Sequence, residues 1–73
     1  MAGSTGKPMQ IRLNGEACEV TAATVAELVV DLGLEGRMIA VECNLEVVPK
    51  SCYADTALHD GDRIEIVHMI GGG

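Results

Sequence analysis

The dipeptide Asn14-Gly15 ends a run in which Met9, Ile11 and Leu13 alternate with Gln10, Arg12 and Asn14. Alternation at period two is the pattern of a strand with one face buried. Asn-Gly is the strongest short-range hairpin signal, because both central positions of a type I′ turn need positive φ. The chain is therefore committed to a β-hairpin. Its return strand, over residues 16–21, places Cys18 and Val20 on one face.

A helix follows. Thr24 and Glu27 have the spacing of a capping box, in which each side chain satisfies a backbone N–H left over at a helix start. Val25, Leu28, Val29 and Leu32 recur at i, i+3, i+4 and i+7, which makes one apolar stripe to face the sheet. Gly33 lies just beyond that stripe, where a left-handed cap belongs. About two turns of moderate helix formers do not hold alone, so packing must supply most of the stability.

Residues 38–43 (MIAVEC) form the next strand and turn at Asn44. Residues 46–48 make a short strand ended by Pro49, and 51–55 fit a single helical turn. His59-Asp60-Gly61-Asp62 is a turn cluster. Residues 63–69 close the domain as a strand with Ile64 and Ile66 on one face. Hairpin, crossover helix and further strands describe an α+β domain with one helix across a sheet of four to five strands. The expected boundaries are a leader or expression remnant at 1–8, the domain at 9–70 and a flexible tail at 71–73.

Size and composition restrict what this domain does. At 73 residues it is one domain, and domains so small bury only about 60% of the surface their unfolded chain exposes. The hydrophobic fraction of 48% supports one compact core, yet there is no Phe, no Trp and one Tyr, so the core is aliphatic. Little material remains for a deep substrate pocket, and an autonomous enzyme is not expected. Eleven acidic residues against five basic ones give a formal charge of −6. Phosphate backbones would be repelled, so nucleic acid is excluded as a partner. The charge either favours a partner with a basic surface or keeps a small domain soluble. Cys18, Cys43 and Cys52 are odd in number and lack C-x-x-C spacing, which suits a reducing, cytoplasmic setting without a metal site. No apolar run is long enough to cross a membrane.

The candidate site is the C-terminus, Gly71-Gly72-Gly73. Glycine costs the most backbone entropy to order and adds nothing to a core, so this tail is expected to hang free. Three residues without side chains reach about 10 Å, thin enough for a narrow tunnel. The terminal carboxylate is a poor electrophile until joined to a leaving group such as AMP, after which a sulfur nucleophile attacks it. With Gly73 last, no protease is expected to be needed to expose it.

Several stretches carry a resemblance. They are Met9-Gln10-Ile11, Val25-Ala26-Glu27-Leu28, Ile39-Ala40-Val41-Glu42-Cys43-Asn44, Val47-Val48-Pro49-Lys50-Ser51, the segment from Asp60 to Val67 (DGDRIEIV) and the terminal glycines. Over about nine-tenths of its length, from Met9 on, the chain resembles the ThiS family of sulfur carriers in thiamin biosynthesis, which have the ubiquitin-like β-grasp fold. The resemblance implies that a ThiF-type adenylyltransferase uses ATP and Mg²⁺ to adenylate Gly73. A persulfide from a sulfur donor such as a cysteine desulfurase then converts it to a thiocarboxylate. Thiazole synthase (ThiG-type) accepts the sulfur. Gly73 would bear the sulfur, Gly72 would keep its approach open and Gly71 would extend reach, with no cofactor bound by this chain. Family members often have an aromatic residue near position 53 or before the glycines; here Tyr53 is present, but the tail reads His68-Met69-Ile70. Many end in two glycines rather than three, which leaves the role of Gly71 open.

Other residues have two readings each. Val67, Met69 and Ile70 form a docking patch beside the tail if Ile64 and Ile66 face the helix, or else they pack at the rim. Glu42, Glu46 and Glu65 are placed to face a basic partner surface and speed encounter. His59 and His68 lack a third ligand and read as solvent-facing or rim residues. Asp60 and Asp62 resemble an acid–base pair, but with Gly61 between them before a strand they read as turn residues. Two other functions share the pattern: the small subunit of a molybdopterin synthase, and a ubiquitin-like modifier without sulfur chemistry.

Overall fold

The computed structural model describes residues 7–69; residues 1–6, and Ile70 with the three glycines, lie outside the described residues. The elements are β1 (Met9–Leu13), β2 (Glu16–Val20), α1 (Val25–Asp31), β3 (Ile39–Cys43), β4 (Glu46–Val48), a 3₁₀ helix (Lys50–Asp55) and β5 (Arg63–His68). They form one five-stranded sheet in the order β2-β1-β5-β3-β4. β1 and β5 run parallel, and the other neighbours are antiparallel.

The hairpin forms as its turn residues demand. Asn14 and Gly15 have φ of 53° and 86°, and Ile11 stands opposite Cys18. Asn14 also works beyond its turn. Its amide donates to Ile64 O at 2.8 Å, and its side-chain oxygen accepts the Ile66 amide at 2.8 Å, fastening β1 to β5.

The helix starts at the expected cap. Thr24 Oγ1 accepts the Glu27 amide at 3.2 Å, and Glu27 reaches back to accept the Ala23 amide at 2.9 Å, one residue earlier than in the usual box. Val25, Leu28 and Val29 are buried. Leu32 corrects the predicted stripe: it is the C-cap and is 38% exposed. The chain turns away there, with Gly33 at φ 74°, and Leu34 packs against the core instead.

The core is aliphatic and lies between α1 and one face of the sheet. It comprises Ile11, Ala22, Val25, Leu28, Val29, Val41, Val48, Leu58, Ile64 and Ile66. Val41, Ile64 and Val25 are fully buried. On β5, buried Ile64 and Ile66 alternate with exposed Arg63, Glu65 and Val67, so the expected facing holds. Among the described residues, no helix is long and apolar enough to cross a membrane.

Candidate functional site

The tail itself, Gly71, Gly72 and Gly73 together with Ile70, lies outside the described residues, so its site is approached through β5, the strand that leads to it. β5 is the middle strand of the sheet, held by β1 on one side and β3 on the other. Its far end is fixed as well. Beyond the paired residues Ile39 and His68, the Met69 amide donates to Met38 O at 2.9 Å. The root of the tail is thereby anchored up to Met69.

The outer face of the sheet carries the predicted docking residues. Side chains alternate across a strand, so Glu65, Val67 and Met69 share the face opposite Ile64 and Ile66. Glu65 is exposed, Val67 is 58% exposed and Met69 is 49% exposed. The register adds Ala40 and Val47, which the sequence reading left out, and brings Glu42, which it named, beside them: Ala40 lies opposite Val67, Glu42 opposite Glu65, and Val47 opposite Glu42. Met38, 58% exposed, follows at the Met69 end. Along β5 the outer face runs from Arg63 through Glu65 to Val67 and Met69, from charged to apolar in the direction of the tail. Only the strand order brings Met38, Ala40 and Val47 into this patch; parity within each strand was readable, but which strands adjoin was not.

Glu42 and Glu65 face each other across antiparallel strands, an arrangement of like charges that destabilises a sheet. Glu46 corrects the sequence expectation: paired with Cys43 and two residues from buried Val48, it lies on the helix face, away from Glu42 and Glu65. Beside Glu42 and Glu65, Arg63 adjoins Arg12 of β1, so acidic and basic pairs lie next to one another on the outer face.

The turn before β5 is held by Asp62, the one buried charged residue among the described residues, at 8% exposure. Its carboxylate accepts the His59 amide at 2.8 Å and Asn44 Nδ2 at 3.0 Å. Asn44 Oδ1 in turn accepts the Arg63 amide at 3.0 Å. Asp60 accepts the Gln10 amide at 2.8 Å. Both aspartates are thus turn and strand-end acceptors. The His59 side chain is largely exposed, 3.9 Å from Asp62, and His68 is exposed at the end of β5. Among the described residues no group of three or more His, Cys, Asp or Glu side chains could hold a metal.

Cys18, Cys43 and Cys52 are free and half-buried. Burial first, then the Asp62 and Glu46 carboxylates, push the Cys43 thiol up from its ordinary value. The thiolate is the nucleophilic form, so this surrounding disfavours it at Cys43.

A mixed sheet beneath one helix, with a run of glycines following its central strand, defines a ubiquitin-like β-grasp carrier. The ThiS family model matches residues 11–73. The sulfur carrier protein ThiS of Bacillus subtilis is 37% identical over 86% of this chain and 98% of its own length. The crystal structure of the thiamine biosynthesis protein ThiS from Geobacter metallireducens superposes with a TM-score of 0.76 at 32% identity, covering 89% of this chain and 100% of that one. The chain also matches a thiazole synthase of Paramagnetospirillum magneticum at 52% identity over 89% of its own length, but spans only 20% of that protein. The chain belongs to the ThiS family.

Proposed function

We infer that this chain, a ThiS-family sulfur carrier of thiamin biosynthesis, carries its sulfur as a thiocarboxylate on Gly73. The observation that supports this reading is the position of β5. The central strand of the sheet leads, through Met69 and Ile70, to a segment without side chains, and its outer face turns apolar on the way. A partner can grip the sheet while its own catalytic groups reach the tail.

The chemistry follows from the carboxylate. A ThiF-type adenylyltransferase, using ATP and Mg²⁺, joins the Gly73 carboxylate to AMP with loss of pyrophosphate. A persulfide from a donor such as a cysteine desulfurase then displaces AMP to give an acyl disulfide, and attack by a second thiol on the donor's sulfur releases the thiocarboxylate and leaves a disulfide between that thiol and the donor. The chain acts as a co-substrate and contributes no catalytic group. The absence of side chains at Gly71, Gly72 and Gly73 gives the tail its reach and keeps the carbonyl open to attack.

Glu65, Val67, Met69 and Ile70 would dock the partners, together with Met38, Ala40 and Val47. A basic partner surface would relieve the repulsion between Glu42 and Glu65. Thiazole synthase is the expected acceptor, supported by relatives of that name that contain a region similar to this chain. Three free cysteines suit the reducing cytoplasm, where the carrier is proposed to act.

Intact-mass spectrometry tests this directly. After incubation with ATP, Mg²⁺, a ThiF-type enzyme and a sulfur donor, one oxygen should be replaced by sulfur in the fragment containing Gly73. Removal of Gly72 and Gly73 should abolish loading while leaving the thermal midpoint unchanged. Normal loading of the shortened chain would overturn the assignment.

A further inference from the structure

On the helix side of the sheet, away from the outer patch, a groove of about 290 Å³ runs between α1, the loop after it and the 3₁₀ helix. Part of its wall is apolar, where Val29, Val30, Leu34 and Tyr53 line it. Val30 lies outside the core and is 52% exposed, and Tyr53 is the chain's single aromatic residue. The volume is at the lower limit for small-molecule sites, which span roughly 300–1,000 Å³. A groove of that size suits one or two aliphatic side chains presented by another polypeptide.

Charge identifies the polypeptide. The chain has five cationic side chains against eleven acidic ones, and two of the five, Arg37 and Lys50, line this groove. Among the described residues, neither has an ion pair or a side-chain hydrogen bond. The Tyr53 hydroxyl, also without a hydrogen-bond partner among them, adds a donor. Glu35 is the opposing charge in the lining, and it leaves two cations against one carboxylate. On a domain of net charge −6 this is a local reversal of sign.

We propose that the α1–3₁₀ groove binds an acidic peptide segment of a partner protein, in which one or two aliphatic residues are flanked by carboxylates. The aliphatic side chains lie against Val29, Val30, Leu34 and Tyr53, while the carboxylates meet Arg37 and Lys50. The groove borders the end of β5 as well, because Ile39, which lines it, is paired with His68. The site goes beyond the sulfur-carrying reading and does not depend on it.

The test is an NMR titration of the full ¹⁵N-labelled chain with a blocked hexapeptide of two leucines flanked by glutamates. Saturable shifts are expected at the amides of Val30, Gly36, Ser51 and Tyr53, with Kd below about 1 mM and weakening as salt rises. The exposed double variant Arg37→Glu, Lys50→Glu should keep a dispersed spectrum and raise Kd at least about tenfold. The same leucines flanked by lysines should not bind. Absence of shifts, shifts centred on Val47 and Val67, or equal binding of the lysine peptide would each overturn the proposal. So would concentration-dependent shifts of the groove residues without peptide, which would assign the groove to a second copy of this chain.

Discussion

The two faces of the β3–β5 pair are built from one stretch of ladder and have opposite duties. On the inner face, Val41 lies opposite Ile66, both buried beneath α1. On the outer face, one residue along, Ala40 lies opposite Val67 and Glu42 opposite Glu65. The Val41–Ile66 pair is apolar and enclosed, and it holds the fold. The outer pairs put like charges in contact and leave Val67 in water, which does nothing for an isolated domain. Residues that the fold does not need, arranged at a stability cost beside the tail, are those available for function.

Substitutions separate the two faces. The largest effect is expected inside: Ile66→Ala should cost about 2–5 kcal/mol in urea or thermal unfolding, enough to unfold much of so small a domain. A midpoint equal to that of the parent would mean that the inner face does not carry the fold. Asp62→Ala leaves Asn44 Nδ2 and the His59 amide without their acceptor, and should lower stability by about 1–3 kcal/mol in the same assay.

Outside, the expectation reverses. Val67→Asp should change unfolding free energy by no more than about 0.5 kcal/mol, yet weaken binding to the adenylyltransferase about tenfold, or ~1.4 kcal/mol, by calorimetry. A large loss of stability would place Val67 in the core's service after all. The smallest effect belongs to Glu65→Gln. Removing one of two facing carboxylates should stabilise the free domain by about 0.2–1 kcal/mol. It should also slow association with a basic partner and flatten its salt dependence, as stopped-flow measurement would show.

The sequence disclosed what neighbouring residues encode. The Asn14-Gly15 turn, the Thr24 cap, the β5 alternation and the Gly33 cap all depend on side chains within a few positions of one another. Leu32 was misread because periodicity does not announce where a helix stops; the turn at Gly33 hands its core contact to Leu34. Long-range pairing was hidden too. Nothing local shows that Asn14 accepts the Ile66 amide across 52 positions, or that β5 inserts between β1 and β3. The candidate site divides in the same way. The glycines and the exposed side of β5 could be read directly, whereas Met38, Ala40, Val47 and the groove at Arg37 and Lys50 emerge only when distant segments meet.

The central place of β5 also governs when the domain can exist at all. The strand that joins the hairpin to β3 is the last of the described strands in chain order, so until it is made β1 and β3 stand apart with an open gap between them. Contacts of long sequence separation slow folding, and incomplete sheets expose edges that aggregate. The arrangement has a compensating logic. The strand that completes the sheet is the one that leads to the glycines, so a partner that grips both can engage only a finished molecule. Truncated or stalled chains would lack the grip and the handle together.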